Sequence, residues 1–218
     1  MAKKAKSIVV AGKGGSGKTT IAALLILYLA EKGIVLAIDG DPSSNLNLAL
    51  GLPLESTLGD VREETLALMS RGHLDGWTSK PDYIQFKIQQ AVEESAGVDL
   101  LAMGRPEGSG CYCALNHLLR AAIDRLTENY DYVVIDSEAG MEHISRQTTQ
   151  DVDILLIISD PTMRGITTAS QIKKLIHELR SSVGAVTLAV NRANSLLSLQ
   201  FEQAVEDSEL ELIWSTPG

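Results

Sequence analysis

Short, almost unbroken apolar runs alternate along this chain with longer stretches of mixed polarity. "SIVVA" (Ser7 to Ala11), "IVLAID" (Ile34 to Asp39), "VDLLAM" (Val98 to Met103) and "DYVVID" (Asp131 to Asp136) are aliphatic and rich in β-branched residues. "VDILLIIS" (Val152 to Ser159) and "AVTLAVN" (Ala185 to Asn191) are two more runs of the same kind, and "ELIW" (Glu211 to Trp214) is a candidate last one. Runs of this length without polar alternation suit strands buried on both faces, which is the condition of a parallel sheet. Helical spacing fills the intervals from Lys18 to Lys32, Leu58 to Met69, Tyr83 to Glu94, Ala114 to Glu128 and Gly165 to Arg180. Gly33 is placed to stop the first of these helices. The stretch from Pro42 to Gly97 is the least clearly patterned. Strands alternating with helices predict an α/β fold: a mostly parallel sheet with helices on both faces. The chain has 218 residues, enough for one such domain over its whole length and short for two.

Charge and targeting signals narrow the picture. The formal net charge of -9 opposes broad binding of nucleic acid through a basic surface. Lys3, Lys4 and Lys6 form the one basic cluster and read as a solubilising start to the first strand. No apolar stretch reaches the roughly 20 residues of a membrane span. Gly12 and Lys13 interrupt the first apolar run before it could serve as a signal peptide. The expectation is a cytoplasmic protein with neither membrane nor nucleic acid as partner.

The loop after the first run carries the chemistry. In "AGKGGSGKTT", Gly12, Gly14 and Gly17 fit the dinucleotide pattern G-x-G-x-x-G, while Gly12, Gly17, Lys18 and Thr19 fit the triphosphate loop G-x-x-x-x-G-K-T. Asp39 lies near the distance at which a dinucleotide fold places its ribose-binding acid. That reading leaves Lys18 and Thr19 without a task. In a triphosphate loop they supply a cation for the β- and γ-phosphates and a hydroxyl for Mg²⁺. "YVVID" also ends in Asp136, the strand-terminal acid that such a site needs beside Mg²⁺. The triphosphate loop is the better fit, with Gly12, Gly14, Gly15, Ser16, Gly17, Lys18, Thr19 and Thr20 around the phosphates of ATP or ADP.

The form K-G-G-x-G-K-T, with Lys13 inside the loop, resembles the deviant P-loop of the MinD/ParA/iron-protein class of ATPases. The resemblance implies a homodimer in which Lys13 reaches the partner's nucleotide, where a cation stabilises the transferring phosphoryl group. Contact with its own phosphates or with solvent is the alternative for Lys13. "DGDPSSNL" resembles the switch I segment of the class. By that likeness, Asp41 would orient or deprotonate the attacking water and Asp39 would support the phosphate and Mg²⁺ end. "DSEAG" resembles switch II, with Gly140 bringing its N–H toward the γ-phosphate. Asn191 matches the adenine-contacting asparagine of the class; a strand-terminal turn residue is the plainer reading.

Cys111 and Cys113 are the only two cysteines. A disulfide between them would close too small a ring to constrain the chain. As thiolates they fill half of a tetrahedral nickel- or zinc-type site. Two chains meeting on a two-fold axis would complete a four-sulfur site; the alternative is a pair of small residues opening a helix. His117 is a further candidate ligand, though more in character as a solvated helix residue. "GSGCYC", "LNHLL", "EAGMEHISRQTTQDVD" and "VNR" together resemble the nickel-insertion ATPases that mature carbon monoxide dehydrogenase (CooC type). That likeness implies an ATP-dependent metallochaperone binding nickel, or zinc, through Cys111 and Cys113 of each subunit, with carbon monoxide dehydrogenase as client. The alternatives are an iron–sulfur reductase and a positioning ATPase of the MinD/ParA type. The family's usual continuation beyond "ELIWSTPG", an adenine-packing loop and a final helix, is not in the sequence.

Overall fold

The protein is described by a computed structural model covering residues 4–70, 79–104, 113–137, 151–178, 182–193 and 197–215. Seven strands form one sheet: β1 (Lys6–Gly12), β2 (Val35–Asp39), β3 (Val98–Ala102), β4 (Tyr132–Asp136), β5 (Asp151–Ser159), β6 (Ser182–Val190) and β7 (Glu211–Ser215). Their spatial order is β3-β2-β4-β1-β5-β6-β7, and every neighbouring pair is parallel. The helices are α1 (Lys18–Ala30), α2 (Leu46–Leu50), α3 (Leu58–Ser70), α4 (Lys80–Gln90), α5 (Cys113–Thr127), α6 (Met163–Glu178) and α7 (Leu199–Asp207).

The unbroken apolar character of the strands follows from coverage on both sides. Val9, Ala11, Leu36, Ile38, Val133, Ile135, Leu155 and Ile157 face one core, shared with residues of α3 to α7. The alternate positions Ile8, Val10, Val35, Ala37, Val134 and Ile158 face a second core with Ile21, Ala22 and Ile26 of α1 and Leu46 of α2. In the central strands β1, β2 and β4 nearly every position is therefore buried whichever way it points, and period-2 polarity does not develop there, whereas β7 at the sheet edge is exposed throughout.

Differences from the sequence expectations are local. The first helix ends at Ala30 rather than Lys32, because the Lys32 and Gly33 N–H groups both turn back to the Leu29 carbonyl. The helix expected from Tyr83 spans Lys80–Gln90, started by Ser79, whose hydroxyl accepts from the Asp82 N–H. The short helix α2 had no periodic signal at five residues. Among the described residues no helix is long and apolar enough to cross a membrane.

Candidate nucleotide site

Parallel topology delivers the loop after β1, the ends of β2, β4 and β6, and the turn after β5 to one edge of the sheet. Asp39 and Asp136 are the last residues of β2 and β4 and are direct register partners, which sets both carboxylates side by side. β1 adjoins β4, so the glycine loop opens beside Asp136.

Close approach selects the loop glycines. Gly12 has φ 149°, and a Cβ there would strike the Ile158 carbonyl of β5. Gly17 has φ 93°, and a Cβ there would run into the Asn191 amide. Between them the Ser16 N–H closes a turn onto the Lys13 carbonyl at 3.2 Å, and Lys18 Nζ donates to that same carbonyl at 3.3 Å. Gly14, Gly15 and Thr20 are exposed, whereas Ser16 is fully buried with an Oγ that has no hydrogen-bond partner among the described residues. Gly17 opens α1, and the free N–H groups of a helix start attract anions.

The aspartates behave differently from one another. Asp39 is buried, and both its carboxylate oxygens are taken: Oδ1 accepts from the Asp41 N–H at 3.0 Å and Oδ2 from the Leu46 N–H at 2.9 Å. It ties the Gly40–Asn45 loop and the start of α2 to the end of β2. Burial raises its pKa against those donors. Asp41 sits half-buried in this loop and accepts the Ser43 N–H at 2.8 Å.

Asp136 is 2 % exposed, and its Oδ1 has no partner among the described residues. Desolvation pushes its pKa up to about 6; the Thr19 hydroxyl, which bonds to it, and the Lys18 ammonium only partly offset that rise, and Asp39 adds to it. A buried carboxylate with an open oxygen next to a hydroxyl and a phosphate loop suits a hard divalent cation, so Thr19 and Asp136 fit Mg²⁺.

Lys13 does not point into empty solvent. Its Nζ pairs with Asp160 Oδ2 at 2.8 Å, just beyond β5. Asp160 also accepts from the Thr162 hydroxyl. Its burial acts to raise the pKa, yet the Lys13 and Thr162 hydrogen bonds together hold the carboxyl below its ordinary value. Sequence reasoning missed Asp160; its position directly after an apolar strand was the available signal, shared with Asp136.

Asn191 follows β6. Its Nδ2 donates to the Ser16 carbonyl at 2.8 Å, and Arg192 Nη1 donates to the Gly15 carbonyl at 3.2 Å. Cys111 and Gly140 lie outside the described residues, and Cys113 is the first residue of α5. His117 is exposed on that helix. Among the described residues there is no group of three or more His, Cys, Asp and Glu able to hold a metal ion.

Comparison with known proteins gives the chain's family and its fold relatives. The AAA domain family matches residues 5–190. An uncharacterized ATP-binding protein of Methanocaldococcus jannaschii is 44% identical over 206 residues, covering 94% of this chain and 80% of that protein. The carbon monoxide dehydrogenase accessory protein CooC of Rhodospirillum rubrum is 38% identical over 185 residues, covering 79% of this chain and 69% of that protein. Among solved structures, a ParA family ATPase from Chlorobium tepidum superposes with a TM-score of 0.72 at 20% identity, covering 98% of this chain and 85% of that one.

Proposed function

The chain belongs to the AAA-domain family of MinD/ParA-type P-loop ATPases, and from that membership we propose that it is a dimeric ATP hydrolase carrying nickel, or zinc, toward carbon monoxide dehydrogenase. The observation that carries the hydrolase part is the open oxygen of buried Asp136 beside Thr19, Lys18 and the glycine loop. The metal-carrying part is supported by the Cys111–Tyr112–Cys113 segment and the 38% identity to the carbon monoxide dehydrogenase accessory protein.

In this reading, ATP enters with its phosphates over the loop N–H groups of Gly12 to Thr20, and Gly140 adds its own N–H at the γ-phosphate. Lys18 swings from the Lys13 carbonyl to the β- and γ-phosphates. Thr19 and Asp136 would hold Mg²⁺, which when bound neutralises phosphate charge. Asp41 accepts a proton from water as the water oxygen bonds to the γ-phosphorus. The bond to the β–γ bridging oxygen breaks and ADP leaves. Asp39 positions Asp41 by holding its backbone N–H. Asn191 presents its amide to the adenine.

Lys13 exchanges Asp160 for the nucleotide of a second copy, which makes hydrolysis conditional on dimerisation. The Lys13–Asp160 pair suits such an exchange: with side chains 28% and 21% exposed, it is worth on the order of 1 kcal/mol or less. Dimerisation also brings two Cys111/Cys113 pairs together, so that hydrolysis can tighten or release the ion.

Metal analysis of anaerobically purified protein tests the cargo. Wild type should bind one nickel or zinc ion per pair of chains, and Cys111→Ser should abolish this binding. Undiminished metal in the variant rules out the shared thiolate site, and iron with a brown chromophore supports the iron–sulfur alternative instead. Phosphate release tests the hydrolase: Asp41→Asn should lower turnover by about 100-fold or more while leaving ATP binding within a few-fold. An unchanged rate removes Asp41 from the mechanism.

A further inference from the structure

The turn after β6 touches the phosphate loop from outside, through two side chains and two successive loop carbonyls. Asn191 Nδ2 holds the Ser16 carbonyl at 2.8 Å, and Arg192 Nη1 holds the Gly15 carbonyl at 3.2 Å. We propose that Asn191 and Arg192 are positioning residues that strap the phosphate loop into its anion-binding shape. The inference rests on reading that loop as a triphosphate site.

Peptide geometry gives the strap its effect. In a trans peptide the C=O of one residue and the N–H of the next point in opposite directions. Fixing the Ser16 carbonyl on Asn191 therefore aims the Gly17 N–H to the other side, and this N–H has no partner among the described residues. A donor held ready for an incoming anion costs no reorganisation when the anion arrives. Arg192 acts one peptide earlier. Its Gly15 carbonyl belongs to the peptide whose N–H, that of Ser16, already closes the turn onto Lys13. Arg192 thus steadies the turn, and Asn191 directs the amide.

The Asn191 orientation is settled by chemistry. A carbonyl oxygen only accepts, so the amide must present its NH₂ to Ser16. Gly17 belongs to the same arrangement, because any Cβ there would push this amide away. Asn191 therefore has a task independent of the base, and removing it should weaken phosphate binding even when no base is present.

Isothermal titration with Mg-tripolyphosphate and with MgATP, at pH 8, tests this. Asn191→Asp keeps the shape and an acceptor oxygen for an adenine amino group, but faces the Ser16 carbonyl with an oxygen. Both ligands should weaken about tenfold and by equal factors. In turnover, KM should rise while kcat stays within about twofold, as expected when a contact is equally strong in ground and transition states. Arg192→Ala should weaken both ligands about threefold, and Arg192→Lys should restore most of that loss.

Weakened MgATP with unchanged tripolyphosphate would show that Asn191 serves the base alone and overturn the strap, as would unchanged binding of both. If Asn191→Asp loses its cooperative thermal transition, Arg192→Ala decides by itself, since it removes an exposed side chain. Titrations equal to wild type for both ligands then overturn the proposal. Wild-type protein that takes up neither ligand would overturn the triphosphate reading, and the strap with it.

Discussion

The two ends of the sheet carry the same acidic side chain under opposite conditions. At the N-terminal end, Asp153 accepts from the Ser7 N–H at 2.7 Å and the Ser7 hydroxyl at 2.9 Å. At the same end, Asp99 accepts from the Tyr130 hydroxyl at 2.8 Å, and Asp131 accepts from the Ile34 N–H at 3.1 Å. At the C-terminal end, Asp136 is buried among the core residues and keeps one oxygen open. The pKa directions record the contrast. The backbone N–H of Ser7 holds Asp153 below its ordinary value, while desolvation lifts Asp136 to about 6. A carboxylate that serves the fold has its donors in the chain. One with an open oxygen, as at Asp136, is set up to take a ligand, and its burial costs stability.

Breaking the open end should give the largest effect. Asp136→Asn keeps the shape but removes the charge beside Thr19, and phosphate release should fall by about 100-fold. The same variant should change how stability depends on pH. In the folded protein Asp136 holds its proton up to about pH 6, whereas its ordinary pKa is 3.8. Between those values the folded state binds more protons than the unfolded one, so this contribution falls as pH rises and is lost above about 6. Asp39, also raised by burial, adds to the trend with the same sign. Thermal melts without nucleotide should show wild type losing stability through that window, and Asp136→Asn should lose distinctly less. A parallel pH dependence in both proteins would mean that Asp136 is not desolvated as described.

The base end should respond the other way. Asp153→Ala removes the carboxylate that accepts from the Ser7 N–H and hydroxyl and should lower unfolding free energy by about 1 kcal/mol, moderated by the exposure of Asp153, with hydrolysis per folded molecule unchanged. Denaturant titration and phosphate release on the same sample read both quantities. A fall in turnover would remove the distinction between the two ends.

The smallest effect is expected at Asp160, which belongs to the open end and yet is fully engaged. Asp160→Asn should alter unfolding free energy by less than about 1 kcal/mol. It should also let the ATP-bound dimer form at a few-fold lower protein concentration, because Lys13 no longer has a charged partner to leave. Sedimentation over a concentration series measures this, and an unshifted equilibrium would mean that the Lys13–Asp160 pair does not oppose dimerisation.

Local sequence determined a good deal of this protein. The apolar runs located all seven strands to within a few residues, since a parallel strand is apolar on both faces and its signal lies wholly within the run. Gly12, Gly17, Lys18 and Thr19 were legible as a loop because their spacing is local, although the close approaches that demand glycine at Gly12 and Gly17 come from Ile158 and Asn191, far along the chain. The short helix α2 escaped because it is too brief to show a period, and its start is held by Asp39 from seven residues away in sequence. What only the tertiary structure decided are the pairings across the sheet edge. Lys13 meets Asp160 across 147 positions, and Asn191 meets the Ser16 carbonyl across 175. Strand order brings those residues together, and no local pattern encodes that order. The same holds for the unequal condition of Asp39 and Asp136, two strand-ending aspartates alike in sequence. One is satisfied by backbone donors and the other is left open, because a hydrogen bond depends on where the rest of the chain has placed its partners.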